Sequence, residues 1–185
     1  IGIMTTEHET IILSAQETLL TLDALATRLA GTITRPEKRV VVGIRRGGAI
    51  VAQLLRDRLN RLLGLQLPLG FLDISFYRDD LNTVGPNPVV APTDLEMDID
   101  DKRIVLVDDV LFTGRTIRAG LNALFDYGRP ERVDLLVLVD RGCRQLPIQP
   151  DFAGLVTEAG RNETVKLVTG PEGWKVVLKQ IKQAS

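Results

Sequence analysis

The chain has 185 residues, of which 44% are hydrophobic and 25% charged, enough to bury one sizeable core without metal or disulfide cross-links. Its 23 Lys and Arg against 24 Asp and Glu leave a formal charge of −1, which argues against a strongly electrostatic nucleic-acid binder, since phosphate affinity needs clustered basic groups. A single cysteine, Cys143, excludes an internal disulfide framework and suits a reducing cytoplasm, where a lone thiol is expected to be a small buried hydrophobe. No apolar run approaches the ~20 residues of a membrane span, and the first residues lack the basic-then-apolar order of a signal peptide, so a soluble cytoplasmic protein is expected.

Residues 1–13 read as an N-terminal tail; Ile1, Gly2 and Ile3 precede Met4, and the only histidine, His8, is expected in solvent. Ser14 and Glu17 have capping-box spacing, and Leu19, Leu22, Ala26 and Leu29 follow at helical intervals, which predicts an amphipathic helix over 14–30. Residues 32–38 turn the chain. The β-branched run RVVVGI at 39–44 predicts a strand, ending in Arg45-Arg46-Gly47-Gly48, after which Ile50, Val51, Leu54, Leu55, Leu59 and Leu62 repeat as on a helix. A further strand is expected at 67–77. Residues from about 78 to 101 are polar and carry Pro86, Pro88 and Pro92, as a functional flap would. Residues 103–107 (RIVLV) predict a buried strand and 108–116 a loop; Ile117, Leu121, Leu124 and Phe125 mark a helix ending near Gly128 and Pro130. Strands follow at 133–139, 165–168 and 174–181, the last two joined by a turn at Gly170-Pro171-Glu172-Gly173.

Near-continuous apolar strands alternating with helices indicate an α/β domain: a mostly parallel sheet with helices on both faces, here spanning 14–185 as one unit. The chemistry concentrates in Val105-Leu106-Val107-Asp108-Asp109-Val110-Leu111-Phe112-Thr113-Gly114-Arg115-Thr116. An apolar strand delivers two adjacent carboxylates to its carboxyl end, where open α/β sheets place ligands. Their mutual repulsion calls for a cationic or hydrogen-bond-donating partner. Thr113, Gly114, Arg115 and Thr116 then open a helix, whose free N–H groups and dipole favour a phosphate. Acid pair and phosphate nest together suit a ribose diol carrying a 5′-phosphate.

This segment resembles the phosphoribosyl pyrophosphate signature of the type I phosphoribosyltransferases, which join a base to the activated sugar with Mg²⁺. The resemblance narrows to the PyrR family, pyrimidine operon regulators that double as uracil phosphoribosyltransferases. Leu72-Asp73-Ile74-Ser75-Phe76-Tyr77-Arg78-Asp79-Asp80 resembles that family's strand leading into the flap. Val139-Asp140-Arg141-Gly142 and Gln145-Leu146-Pro147-Ile148 resemble its base-side segment, and the likeness runs from about 14 to 167. It implies a flexible flap and a small hood beside the main sheet. It also implies that Asp108 to Thr116, including Val110, Leu111 and Phe112, hold the ribose 5-phosphate. Arg78, with Arg45, Arg46 and Gly47, would take pyrophosphate, and Arg141 and Val165 would lie near the base. Phosphoribosyl pyrophosphate, uracil, UMP, Mg²⁺ without an assigned protein ligand, an mRNA leader, and a homodimer or homotetramer are the implied partners.

The chain departs from the family in three places. Arg46-Gly47-Gly48 stands where Thr-Arg-Gly is usual, so the cation for pyrophosphate comes from Arg45 or Arg46; by itself this loop also suits an ordinary surface turn. Cys143 replaces a usual His, and residues 158–163 (EAGRNE) replace a Ser-rich and basic stretch. Phe112 occupies the position where hypoxanthine-type enzymes resemble one another in an Asp that exchanges a proton with a purine, which favours a pyrimidine; simple loop packing suits either base. Two other readings stay open: an RNA-binding regulator that only senses UMP, with Arg28, Arg35, Lys38 and Arg39 as a basic face, and a transferase for orotate or a purine.

Overall fold

The computed structural model describes residues 8–75, 77 and 93–181. Five strands form one sheet, β2 (Arg39–Ile44), β3 (Leu69–Leu72), β4 (Arg103–Leu111), β5 (Arg132–Asp140) and β6 (Phe152–Val156), in the order β3-β2-β4-β5-β6, and every neighbouring pair is parallel. All six residues of β2 are buried, as a strand covered on both faces requires. Helices α1 (Ala15–Ala30) and α2 (Gly47–Leu63) place Leu22, Leu25, Leu29, Val51, Leu55 and Leu59 against Val41, Val105, Val107, Leu136 and Leu138. Helix α3 (Arg115–Phe125) sets Ile117, Ala123 and Leu124 against Val42, Ile44, Leu106 and Val137 on the other face. Successive strand residues alternate between the two cores, so the expected α/β sheet with helices on both faces is present.

The Ser14–Glu17 capping box forms in both directions, with the Ser14 N–H donating to Glu17 Oε2 at 2.8 Å and the Glu17 N–H to Ser14 Oγ at 3.2 Å. A second, antiparallel sheet has the order β1-β8-β7, from β1 (Glu9–Leu13), β7 (Glu163–Gly170) and β8 (Gly173–Gln180). Leu13, Val165 and Val176 carry its inner face into the α1–α2 core. Residues 9–13 were expected as tail; they pair with β8 instead, and Glu9 reaches Lys179 at 3.1 Å and Lys175 at 3.5 Å. Only the last of these five residues is fully buried, so periodicity carried no signal there.

Other boundaries also move. The strand expected at 67–77 is limited to Leu69–Leu72, and β6 forms at the sheet edge where no strand was expected. Of the expected flap, residues 93–101 are docked: Asp94 and Phe71 exchange backbone hydrogen bonds of 2.8 and 2.9 Å, and Ile99 is fully buried. Arg78 lies outside the described residues. Cys143 is exposed rather than buried, in a backbone turn with φ +59°. Arg39, expected on a basic surface, is interior. It bonds Asp134 at 2.6 Å, and both side chains are less than one-tenth exposed. Burial alone would raise the Asp134 carboxyl, but the Arg132 and Arg39 guanidiniums hold it below its ordinary value. Among the described residues no helix is long and apolar enough to cross a membrane.

Candidate active site

The sheet order creates the site. From β2 the chain crosses through α2 to β3 on one side, whereas from β4 it crosses through α3 to β5 on the other, so the loops after β2 and β4 part company at the carboxyl ends of adjacent strands. Such a switch point opens a crevice in which α/β sheets bind ligands. The loop after β2 holds Arg45, Arg46, Gly47 and Gly48; the end of β4 holds Asp108 and Asp109.

The acid pair sits in the strand rather than in the loop expected for it, because β4 keeps its pairing with β5 as far as Leu111. Asp108 is buried and Asp109 half-buried, and the Asp109 N–H donates to Asp108 Oδ1 at 2.9 Å. The two loops touch. A Cβ on Gly47 would lie 2.1 Å from Asp109 Oδ2, and one on Gly48 would lie 2.6 Å from the Val107 carbonyl oxygen, so only glycines let the start of α2 close on the acids.

Burial, and then the neighbouring Asp109 charge, push the Asp108 carboxyl well above its ordinary value of 3.8. A carboxyl raised on folding keeps its proton to higher pH in the native state than in the unfolded chain. Its contribution to stability is therefore complete below about pH 3.8 and is lost as pH rises through the folded value. Asp108→Asn, which cannot ionise, is expected to gain stability over the wild type as pH rises, and to lose that advantage in acid. Thermal denaturation of both proteins from pH 4 to 8 checks this, and parallel curves would count against it.

Gly114, with φ +93°, turns the chain from β4 into α3 and lies against Leu146 and Ile148. No acidic residue occupies the first turn of α3, so the positive end of its dipole meets no carboxylate of its own helix. Thr113 is anchored from below: its carbonyl accepts the Gln145 and Leu146 N–H groups at 2.9 and 3.1 Å, and its Oγ1 accepts the Arg115 N–H at 3.2 Å. Arg115 Nε donates to Gln145 Oε1 at 3.0 Å.

Arg144, which carries no signal of function in the sequence beyond its i,i+4 spacing from Asp140, braces this cup. Its Nη1 donates to the Phe112 carbonyl at 2.8 Å, Nε to the Ile148 carbonyl at 2.8 Å, and Nη2 to Asp140 Oδ2 at 2.7 Å. Burial raises the Asp140 carboxyl, but Arg144 and the Gly142 N–H more than offset it and leave it below its usual value.

Of the base-side residues, Arg141 is 3% exposed. Its guanidinium donates to the carbonyls of Glu163 at 2.7 Å and Gly160 at 2.8 Å, and it stacks 3.9 Å from the centre of the Phe112 ring. Arg141 thus ties the 159–163 loop to the segment between β4 and α3 and holds the Phe112 ring. Val165 is buried in the α1–α2 core, which Val110 also joins. Arg45 lies half-buried over the Phe71 ring at 4.9 Å, and Arg46 is exposed at the start of α2.

The phosphoribosyl transferase domain family matches residues 8–172. Proteins named Bifunctional protein PyrR are similar over most of their length. That of Haemophilus ducreyi is 42% identical over 161 residues, covering 87% of this chain and 90% of its own. That of Nostoc punctiforme is 48% identical over 158 residues, covering 84% and 87%. Among solved structures, the hypoxanthine phosphoribosyltransferase of Trypanosoma cruzi superposes with a TM-score of 0.66 at 16% identity over 94% of this chain and 97% of its own, a likeness of fold. The strand–acid pair–glycine turn–helix of residues 103–125 and the matches along the chain agree, and the chain belongs to the phosphoribosyl transferase domain family, alongside relatives named Bifunctional protein PyrR.

Proposed function

We propose that the protein transfers the phosphoribosyl group of phosphoribosyl pyrophosphate to uracil, forming UMP and pyrophosphate. The contact of Gly47 with Asp109 carries this reading, because it brings a loop suited to pyrophosphate against a carboxylate pair suited to the ribose diol. The turn from Thr113 to Thr116 receives the 5′-phosphate at the positive end of α3. As the bond from the anomeric carbon to pyrophosphate breaks, positive charge grows on the sugar, and Asp109 stabilises that charge electrostatically, with Asp108 accepting its N–H from behind. Arg45 or Arg46, together with Arg78, holds the leaving pyrophosphate; no side chain becomes covalently attached.

The half-buried Asp109 beside the glycine loop fits a hydrated Mg²⁺, which ordinarily takes one or two carboxylates and completes its shell from phosphates and water. When bound, the ion neutralises charge on the departing pyrophosphate. On the base side, the fixed Phe112 ring offers an apolar wall with no group to exchange a proton with a purine nitrogen, which favours a pyrimidine.

Steady-state assays across uracil, orotate, hypoxanthine, guanine and adenine test the assignment. Uracil is expected to lead in kcat/KM by at least about tenfold, since a single buried polar group left unmatched costs about 1–3 kcal/mol. A purine in first place would overturn the base assignment while leaving the transfer chemistry standing. The word bifunctional in the relatives' name supports a second role as a pyrimidine-gene regulator acting on an mRNA leader. Gel shifts with leader RNA, with and without UMP, test that role. Of the basic face expected for it, Arg35 and Lys38 are paired with Glu131, and Arg28 lies over Phe152.

A further inference from the structure

The strands that end at the candidate active site begin at a second polar cavity on the opposite edge of the sheet. Arg39, Arg103 and Arg132 are the first residues of β2, β4 and β5, and they stand opposite one another in the parallel register. Adjacent strands lie about 4.8 Å apart, so three guanidinium-bearing side chains leave the same face of the sheet side by side. Like charges in opposed positions repel.

With Arg35 and Lys38 beside it, this row makes five cations over three carboxylates, Glu131, Asp134 and Asp151. Glu131 is shared by Arg35, Lys38 and Arg103 at 2.8, 3.2 and 3.1 Å. Asp134 is shared by Arg39 and Arg132 at 2.6 and 2.5 Å, so five cations lean on two carboxylates. Asp151, the other acid of the lining, accepts the Leu135 N–H at 2.8 Å. Thr32 and Phe152 complete a cavity of about 370 Å³ over the row. Arg39 is 3% exposed, and its Nε has no hydrogen-bond partner. A buried donor left unpaired is ordinarily satisfied by water or an ion from outside the chain, which here would enter through the adjoining cavity.

We propose that this cavity binds a small multivalent oxyanion of the orthophosphate class at the amino ends of β2, β4 and β5. Planar guanidinium forks match the oxygens of such an ion, and a dianion cancels the local surplus of positive charge. Arg39 is the fixed member, held by Asp134. Arg103 and Arg132, with side chains 26% and 58% exposed, are free enough to swing onto the ion. Occupancy ties together the starts of the three strands whose other ends carry the catalytic loops and the base-side segment. It therefore registers as stability of the whole sheet.

Equilibrium dialysis of the full chain against labelled orthophosphate, at constant ionic strength, tests this. The wild type is expected to bind one equivalent more than the R103Q/R132Q double variant. Both proteins keep the α3 loop, so the difference is independent of whether that loop also takes phosphate. Phosphate is expected to raise the wild-type Tm by a few degrees over chloride of equal ionic strength, and the gain is absent in the double variant. In the wild type itself, the Arg39 Nε–H resonance should move saturably on phosphate addition, a readout that holds even if the double variant folds poorly. Equal stoichiometry in the two folded proteins, or an Nε–H resonance that stays in place, overturns the proposal.

Discussion

Asp109→Asn is expected to lower kcat by more than about tenfold with the fold intact, since removing one preorganised electrostatic group from a site of developing charge typically costs more than that. The acid is placed for this role by two separate features. β4 carries it to the carboxyl edge of the sheet, and Gly47 and Gly48 let the loop after β2 approach it without a side chain between. Asparagine keeps the shape and loses the charge, so KM for the sugar should change less than kcat. Steady-state kinetics with uracil and phosphoribosyl pyrophosphate, paired with thermal denaturation, measure both. Unchanged turnover in a folded variant would remove the acid pair from the chemistry, and with it the proposed function.

The largest loss of stability is expected from Asp134→Asn. Arg39 and Asp134 are both less than one-tenth exposed and meet at 2.6 Å, so removing the carboxylate leaves a guanidinium charge buried with no counter-charge at that distance. Breaking such a pair costs about 3–5 kcal/mol, which in a chain of this size lowers Tm by roughly 6–20 °C. Arg132, with a side chain 58% exposed, also bonds Asp134 but can turn to water when the carboxylate goes. The double variant Asp134→Asn, Arg39→Met removes the stranded charge and should recover much of the loss. Urea and thermal unfolding of the three proteins decide this, and a single variant within about 1 kcal/mol of wild type would show that Arg39 finds another counter-charge or solvent.

Much of the frame was legible in the residue pattern because its determinants are local. The Ser14–Glu17 box, the glycine turn ahead of α3 and the β7–β8 hairpin each depend on contacts within a few positions, and β2 is marked by its own unbroken apolar run; each forms where expected. Strand β1 was illegible because its partner, β8, lies more than 160 positions away, and four of its five residues are not fully buried. Arg39 misled for a related reason: it follows Arg35 and Lys38, which are surface residues, yet it starts a strand whose every residue is buried. Cys143 looked like core on composition alone, but it falls in an exposed turn among residues that wrap beneath the turn from β4 to α3.

The contiguous segment from Val105 to Thr116 determined by itself that two carboxylates would precede a helix start, because strand, acids, turn and helix follow one another along the backbone. Which loop those acids meet was decided only by the tertiary structure. Opposite crossovers from β2 and β4 bring Gly47 to Asp109 across more than 60 residues, and the same packing sets the upward shift of the Asp108 carboxyl, the Arg141 stack on Phe112 and the arginine row at the far edge. Burial and electrostatic coupling depend on distance through space, and separation along the chain does not report it.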